Sequence, residues 1–290
     1  MITPDGFFRV CDSVAEEIAE ALRPIVGTPY GAEEICIGAD NTPTERLDKI
    51  AEDIVLAAFR EHAVCARLLS EEAGMVDIGG DAGIAYLDPV DGSFNASVGI
   101  PFYALSVGLS DGTQMIAGYV RNLATGETFT AVRGGGAFVD GCPIRPSEKE
   151  SFATSAMSVY ARPPEMRALL ENGYTSRRIR KLGASALELC YVACGRLEAF
   201  LDLRGTLRIT DAAAALLPGV DTLLLESNHD VSMVQTGPYP YHLKQRILGD
   251  RGHLSNETAA LFAAEAVARG TRQVILAHLS KDNNTPARAE

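Results

Sequence analysis

The nine residues Leu87-Asp88-Pro89-Val90-Asp91-Gly92-Ser93-Phe94-Asn95 constrain this chain more than any other stretch. They follow an apolar run, Ile84-Ala85-Tyr86, that reads as a strand. Two carboxylates, three residues apart, therefore stand at a strand end. Gly92-Ser93 follows where a helix can begin. A second acidic pair, Glu71-Glu72, ends another apolar run, Arg67-Leu68-Leu69-Ser70. Four acids at two strand ends make a poor core. They suit the task of holding divalent cations against a phosphate.

The rest of the chain supplies a scaffold large enough for such a site. At 290 residues it has room for one large domain or two modest ones. A net charge of -12 argues against a general nucleic-acid binder, which needs a basic face. The opening residues Met1 to Gly6 have no basic and apolar leader pattern, and no apolar run approaches the length of a membrane span. The six cysteines form no C-x-x-C pair, which suits buried thiols in a reducing cytoplasm. Cys190 and Cys194 share one helix face.

Periodicity predicts the elements in order. Apolar residues at Phe7, Val10, Val14, Ile18 and Leu22 mark a helix from Phe7 to about Ile25. Glu34–Ile37 is a short strand candidate, followed by a turn-rich loop from Gly38 to Pro43. Thr42 or Thr44 is expected to cap a helix running to about Glu61. Met75 to Gly83 reads as a glycine-rich connection. Three or four strands, within Tyr103–Ser110, Gln114–Arg121, Glu127–Arg133 and Ala137–Val139, read as an antiparallel meander, with Asp111-Gly112 as one hairpin turn. After Pro143 strand and helix alternate. Strands are expected at Ser155–Tyr160, Ile179–Lys181 and Leu197–Leu203. Helices are expected at Pro163–Asn172, Ala184–Cys194 and Ile209–Leu217, with Gly195 ending the second.

The acidic constellation has a chemistry of its own. Hydrolysis of a phosphate monoester needs an activated water, neutralised phosphoryl oxygens and a stabilised leaving alkoxide. Two Mg²⁺ ions about 4 Å apart supply all three. Mg²⁺ takes hard oxygen ligands, so Glu71, Asp88 and Asp91 suffice without His or Cys. The Val90 carbonyl adds a backbone ligand. The N–H groups of Gly92 and Ser93 suit a phosphate at a helix start, and the Ser93 hydroxyl with Glu71 suits orientation of the attacking water.

Glu71-Glu72 followed by Asp88-Pro89-Val90-Asp91-Gly92-Ser93-Phe94-Asn95 resembles the inositol monophosphatase superfamily pattern, an acidic pair and then D-P-[IL]-D-G-[TS]-x-N. Asp211-Ala212-Ala213-Ala214 is similar to its third element, an Asp opening a small-residue helix. Gly183-Ala184-Ser185-Ala186-Leu187 and Gly195-Arg196-Leu197-Glu198-Ala199-Phe200 also look like that family. Gly38-Ala39-Asp40-Asn41-Thr42-Pro43-Thr44 resembles the mobile metal loop of the archaeal branch, whose members commonly act on inositol 1-phosphate and fructose 1,6-bisphosphate. The resemblance spans about residues 7 to 216. It implies a layered α/β architecture, the α-β-α-β-α sugar-phosphatase sandwich. It implies two or three Mg²⁺ ions held by Glu71, Asp88, Val90, Asp91 and Asp211, with Asp40 at a weaker third. Gly92 and Ser93 would hold phosphate, and Gly183, Ala184, Asp202 and Arg204 the sugar or polyol. Ser93 replaces the commoner Thr, and Thr210 the commoner Trp.

Past Leu217 the sequence leaves that pattern. Val220 to Asp230, Gly252-His253-Leu254-Ser255-Asn256 and Ile275 to Asn284 resemble the C-terminal part of exonuclease-like metallo-β-lactamase-fold hydrolases, in which the residue at His278 ligates metal. The H-x-H-x-D-H cluster such enzymes need is absent, because no two of the five histidines are two residues apart. One ligand alone holds no metal usefully.

The expected organisation has three parts. Residues 1–145 form an N-terminal phosphatase half with the metal site, 146–217 a truncated second half, and 218–290 a metallo-β-lactamase-like strand-helix-strand fragment. The expected activity is Mg²⁺-dependent hydrolysis of a phosphorylated sugar or polyol. No nucleic acid or membrane partner is expected, and homodimerisation, common in the family, is left open. The alternatives are a lactamase-fold phosphodiesterase or nuclease, and a non-catalytic fusion.

Overall fold

A computed structural model describes residues 2–39, 42–149, 151–161, 163, 166–167, 178–202, 204, 207, 210, 214, 222–226, 229–241, 244, 255–260, 273–277, 283–285 and 288. It divides into two compact units. The first holds 1–159, 173–200 and 207–218; the second holds 160–172, 201–206 and 219–290.

The first unit opens with α1 (Pro4–Leu22). Pro4 sits at the first turn, and the Thr3 hydroxyl accepts the Gly6 N–H at 3.2 Å, which fixes the helix start. Its buried face is Phe7, Val10, Cys11, Val14, Ala15, Ile18 and Leu22, the face that the periodicity predicts. Then come β1 (Glu34–Ile37), β2 (Pro43–Glu45) and α2 (Arg46–Glu61). β1 and β2 pair antiparallel. That pairing changes the expected helix cap. Residues Pro43 to Glu45 are strand, Glu45 occupies the cap position without a side-chain bond, and the Thr44 hydroxyl donates instead to Glu72.

Eight strands form the central sheet in the order β10-β9-β8-β7-β6-β5-β3-β4. They are β3 (Arg67–Ser70), β4 (Gly74–Asp77), β5 (Ile84–Asp91), β6 (Ala104–Ser110), β7 (Met115–Asn122), β8 (Thr128–Val132), β9 (Gly136–Val139) and β10 (Cys142–Pro143). The expected meander is β6 to β9, antiparallel throughout. The glycine-rich connection after Met75 is corrected in part. Gly74, at φ +69°, turns the chain so that β4 pairs antiparallel with β3 as an edge strand.

Both faces of this sheet are covered, so β6 is buried along its whole length. On one face Leu105, Val107, Leu109, Ala117 and Tyr119 pack with α1 and α2. On the other, Ala104, Val120 and Phe129 pack with α4 (Ser185–Ala193) through Ala186, Leu187, Leu189 and Cys190. Alternation along each strand sorts the residues between the two faces. The unit is a mixed α/β sandwich. The short helix between β5 and β6 is α3 (Ser93–Val98).

A second sheet of three strands runs β12-β11-β13, built from β11 (Ala156–Tyr160), β12 (Arg178–Arg180) and β13 (Ala199–Asp202); β11 and β12 are parallel. Gly195, at φ +77°, follows α4 in the left-handed conformation expected of it. In the second unit β14 (Thr222–Glu226) and β15 (Gln273–Ala277) pair in parallel. A helical turn, α5 (Val231–Thr236), is capped by Asp230, which accepts the Met233 N–H at 2.9 Å. Asn256 and Asn284 exchange amide hydrogen bonds at 2.9 and 2.8 Å. The helices expected at Pro163–Asn172 and Ile209–Leu217 lie outside the described residues apart from 163, 166–167, 210 and 214. No helix among the described residues is long and apolar enough to cross a membrane.

Candidate active site

The carboxylates gather at the ends of two neighbouring parallel strands. β3 and β5 run parallel with Ser70 opposite Leu87. One further bond, Glu71 N–H to the Leu87 carbonyl at 3.1 Å, carries the ladder past the strand end. Glu71 thus leaves β3 beside the point where Asp88 stands in β5. Carboxyl ends of parallel strands are where open α/β sheets collect ligands.

Asp88 and Asp91 are three apart, an odd spacing that in a regular strand aims side chains to opposite faces. A bulge corrects this. Asp88 pairs with Ser106 and Asp91 with Ala104, so three residues of β5 span two of β6. Ser106 and Ala104 share a face, and Asp88 and Asp91 therefore share it too. Both are buried, 5% and 6% exposed, and Val90 between them is buried toward α1 and α2. The Asp88 carboxylate accepts the Val90 N–H at 3.1 Å.

The Asp91 carboxylate caps a remote helix. Its two oxygens accept the N–H groups of Ser185 at 2.9 Å and Ala186 at 2.7 Å, at the start of α4. Ala184 offers no side-chain cap there. Gly92, at φ +90°, lies against the same turn: a Cβ on it would stand 2.9 Å from the Gly183 carbonyl and 3.0 Å from Ala184 Cβ. Gly92, Ser93, Gly183 and Ala184, expected at the substrate, are thus brought together with Asp91, and Ser93 begins α3.

Other expected residues fare differently. Asp202 and Arg204 bind each other: Arg204 Nε lies 3.0 Å from Asp202 Oδ1, and its guanidinium rests 4.2 Å over the Tyr160 ring. Asp40 and Asp211 lie outside the described residues, as do His253 and His278.

The structure adds acids that the sequence reading did not single out. Asp48 and Glu52 fall on the buried stripe of α2 with Leu47, Ala51 and Val55. Glu52 accepts the Ser70 hydroxyl at 2.5 Å and the Ala73 N–H at 2.8 Å, which ties α2 to the segment bearing Glu71 and Glu72. Burial, then the carboxylates of Glu72, Glu71 and Glu45, push Asp48 well above the usual carboxylate range. The available signal was an acid repeating every four residues on an apolar stripe, where a solvated acid has no place.

This donor set fits a hard divalent cation. Every candidate ligand is oxygen, and burial first, then the carboxylates of Glu72, Glu71 and Glu45, raise the Asp48 pKa. Among the described residues no group of three or more His, Cys, Asp or Glu is placed to hold a metal ion.

The inositol monophosphatase family model matches residues 8–267. This chain belongs to the inositol monophosphatase family. The match runs past Leu217, where the sequence reading ended the family pattern. Family members are metal-dependent phosphatases, typically using Mg²⁺, and this chain is a phosphatase. It is 37% identical over 217 residues to the fructose-1,6-bisphosphatase/inositol-1-monophosphatase of Methanothermobacter thermautotrophicus, covering 70% of this chain and 78% of that one. It is 34% identical over 229 residues to the bifunctional NADP phosphatase/NAD kinase of Methanococcus maripaludis, covering 70% of this chain and 40% of that longer protein. A solved inositol monophosphatase–fructose 1,6-bisphosphatase superposes with a TM-score of 0.66 at 30% identity, covering 72% of this chain and 81% of that one.

Proposed function

We infer that this chain hydrolyses the phosphomonoester of a sugar or inositol phosphate, with inositol 1-phosphate and fructose 1,6-bisphosphate as substrates. The carrying observation is the parallel pairing of β3 and β5, which delivers Glu71 and Asp88 to adjacent strand ends beside the bulged Asp91. Glu71, Asp88, Asp91 and the Val90 carbonyl would hold Mg²⁺, with Asp211 completing a second position and Asp40 a third. Bound there, Mg²⁺ would neutralise the phosphoryl oxygens and lower the pKa of the attacking water. Ser93 and Glu71 orient that water by hydrogen bonding. The Gly92 and Ser93 N–H groups hold the phosphate. Gly183 and Ala184, packed on Gly92, border the polyol. Asp202 and Arg204 act on the sugar only if their mutual ion pair opens.

Phosphate release from both substrates, with Mg²⁺ and with a chelator, tests the reading. Chelator-sensitive release is expected, and the absence of release from either substrate overturns it.

We further propose the division 1–145, 146–217 and 218–290, with the last segment a metallo-β-lactamase-like fragment that takes no part in catalysis. Its support is the parallel β14–β15 pair and the sequence pattern around His253 and His278. His278→Ala should leave phosphate release unchanged, and a Zn²⁺- or Mn²⁺-dependent nuclease activity lost in that variant would refute inertness. The cysteines are free thiols, which supports a reducing, cytoplasmic setting. Homodimerisation is retained as an assembly that sedimentation would test.

A further inference from the structure

Asn95 and Glu188 lie beside the candidate site but have no role in the chemistry described above. Asn95 is the last residue of the nine-residue stretch, four positions after Asp91, and is only 5% exposed. Its amide nitrogen has two hydrogens to donate. One bond goes to the Phe102 carbonyl at 2.7 Å, in the segment that follows α3. The other goes to the Leu182 carbonyl at 2.7 Å, 87 positions away in the chain. Glu188 is fully buried in the first turn of α4, and its Oε1 accepts the Gly183 N–H at 3.0 Å. Gly183 itself, at φ +94°, lies so close that a Cβ on it would be 2.6 Å from Asn95 Nδ2.

These contacts converge on one short turn. Asn95 grips its carbonyl side at Leu182, and Glu188 grips its N–H side at Gly183. Two further N–H groups of the turn, of Ser185 and Ala186, hold the two oxygens of Asp91. Bonds to two donors fix the plane of a carboxylate. An acid oriented in this way needs no rearrangement to accept a metal.

We propose that Asn95 and Glu188 are positioning residues that clamp the Leu182–Ala186 turn, so that its N–H groups hold Asp91 oriented for a divalent cation. The proposal rests on the metal-dependent reading above. The chemistry at each position is specific. An aspartate at position 95 would face two carbonyl oxygens without a hydrogen to offer, and an alanine would donate to neither. Glutamine at position 188 keeps an oxygen that can accept the Gly183 N–H, whereas leucine fills the space and accepts nothing.

The test uses the full chain and Mn²⁺ as probe. Mn²⁺ affinity is measured by calorimetry for the wild type, Asn95→Ala, Glu188→Leu and Glu188→Gln. Thermal midpoints, half-activating Mg²⁺ and KM for inositol 1-phosphate are taken alongside. Asn95→Ala and Glu188→Leu are expected to weaken Mn²⁺ about tenfold or more, as loss of groups that orient a ligand does. Half-activating Mg²⁺ should rise in step, and KM for inositol 1-phosphate should rise with it, because the same turn carries Gly183 and Ala184. Glu188→Gln should restore most of the affinity lost in Glu188→Leu.

Unchanged Mn²⁺ affinity in folded Asn95→Ala or Glu188→Leu overturns the proposal. If Asn95→Ala does not fold, Glu188→Leu decides, because leucine keeps the side-chain volume and gives up the bond to the Gly183 N–H; if neither folds, Glu188→Gln, which keeps that acceptor, must bind Mn²⁺ as wild type does, and weakened affinity there overturns the proposal. A wild type that binds no Mn²⁺ overturns it as well. Weakened Mn²⁺ binding without phosphate release from any sugar phosphate would sustain the clamp and remove the substrate assignment.

Discussion

The Asp91 carboxylate accepts the backbone N–H of Ala186 at 2.7 Å, from a residue 95 positions further along the chain. That bond joins the two sequence elements on which the site depends. β5 supplies the acid, and α4 supplies the end of a helix that would otherwise lack a cap. Each satisfies a need of the other: the helix has unpaired N–H groups, and a buried carboxylate requires donors. The site is therefore built into the packing of the sheet rather than placed on a surface loop.

Asp91→Asn should separate charge from shape. The amide can offer only one accepting oxygen, and its NH₂ would face a backbone N–H, donor against donor. Loss of the anion also removes a cation ligand. Phosphate release from inositol 1-phosphate should fall by more than about a hundredfold, and stability by about 1–3 kcal/mol. A steady-state assay and urea melt check both, and unchanged turnover removes Asp91 from the site.

Much of this was readable beforehand, and what was not has a physical cause. The strand Arg67–Ser70 and the meander strands β6 to β9 follow from local alternation and turn residues, which one window of sequence contains. The parallel pairing of β3 with β5 does not, because register between strands is a tertiary property. β4 was hidden by the glycines in and after it, Gly74, Gly79, Gly80 and Gly83, which weaken a strand pattern. Asp48 and Glu52 escaped notice because an acid in an apolar stripe scores as an interruption. The clamp from Asn95 to Leu182 could not be read at all, since nothing local marks partners 87 positions apart.

Asp48→Asn should stabilise the metal-free protein. Burial first, then Glu72, Glu71 and Glu45, raise the Asp48 pKa well above 3.8. An acid with a raised folded pKa binds its proton more tightly in the folded state. Between the two pKa values the fold binds more protons than the unfolded chain, so stability falls as pH rises through that window. The penalty is absent below pH 3.8 and full above the folded pKa. At pH 8 with a chelator, Asp48→Asn should melt about 4 °C higher than wild type. The gain should vanish toward pH 4 and shrink when Mg²⁺ is added. Equal midpoints at pH 8 would mean that the charge is already relieved.

Gly183→Ala should cost more than a left-handed backbone alone explains. The residue sits at φ +94°, and its Cβ would meet Asn95 Nδ2 at 2.6 Å. Gly112, at φ +100° with nothing within 4 Å, carries the conformational cost without the clash. Gly112→Ala should lose about 1–2 kcal/mol, and Gly183→Ala about 2 kcal/mol more. Only the second should weaken Mg²⁺ activation. Equal losses in urea denaturation would show that the Asn95 contact yields without strain.

The hairpin at Asp111 should mark the acid limb of stability. Its Oδ1 accepts the Thr113 hydroxyl at 2.7 Å, the Thr113 N–H at 2.8 Å and the Gln114 N–H at 2.9 Å. The Thr113 hydroxyl first, and the two N–H groups after it, lower its pKa to about 2 from 3.8. A depressed folded pKa gives stability that is present above the unfolded value and lost as pH falls through the folded one. Asp111→Ala should therefore lower the midpoint at pH 7 by about 2 °C, less in high salt because the turn faces solvent. The difference from wild type should close as pH falls from 3.8 toward about 2. A difference that persists at pH 2 would assign the effect to turn geometry, because the protonated carboxyl would then hold the turn as well as the anion does.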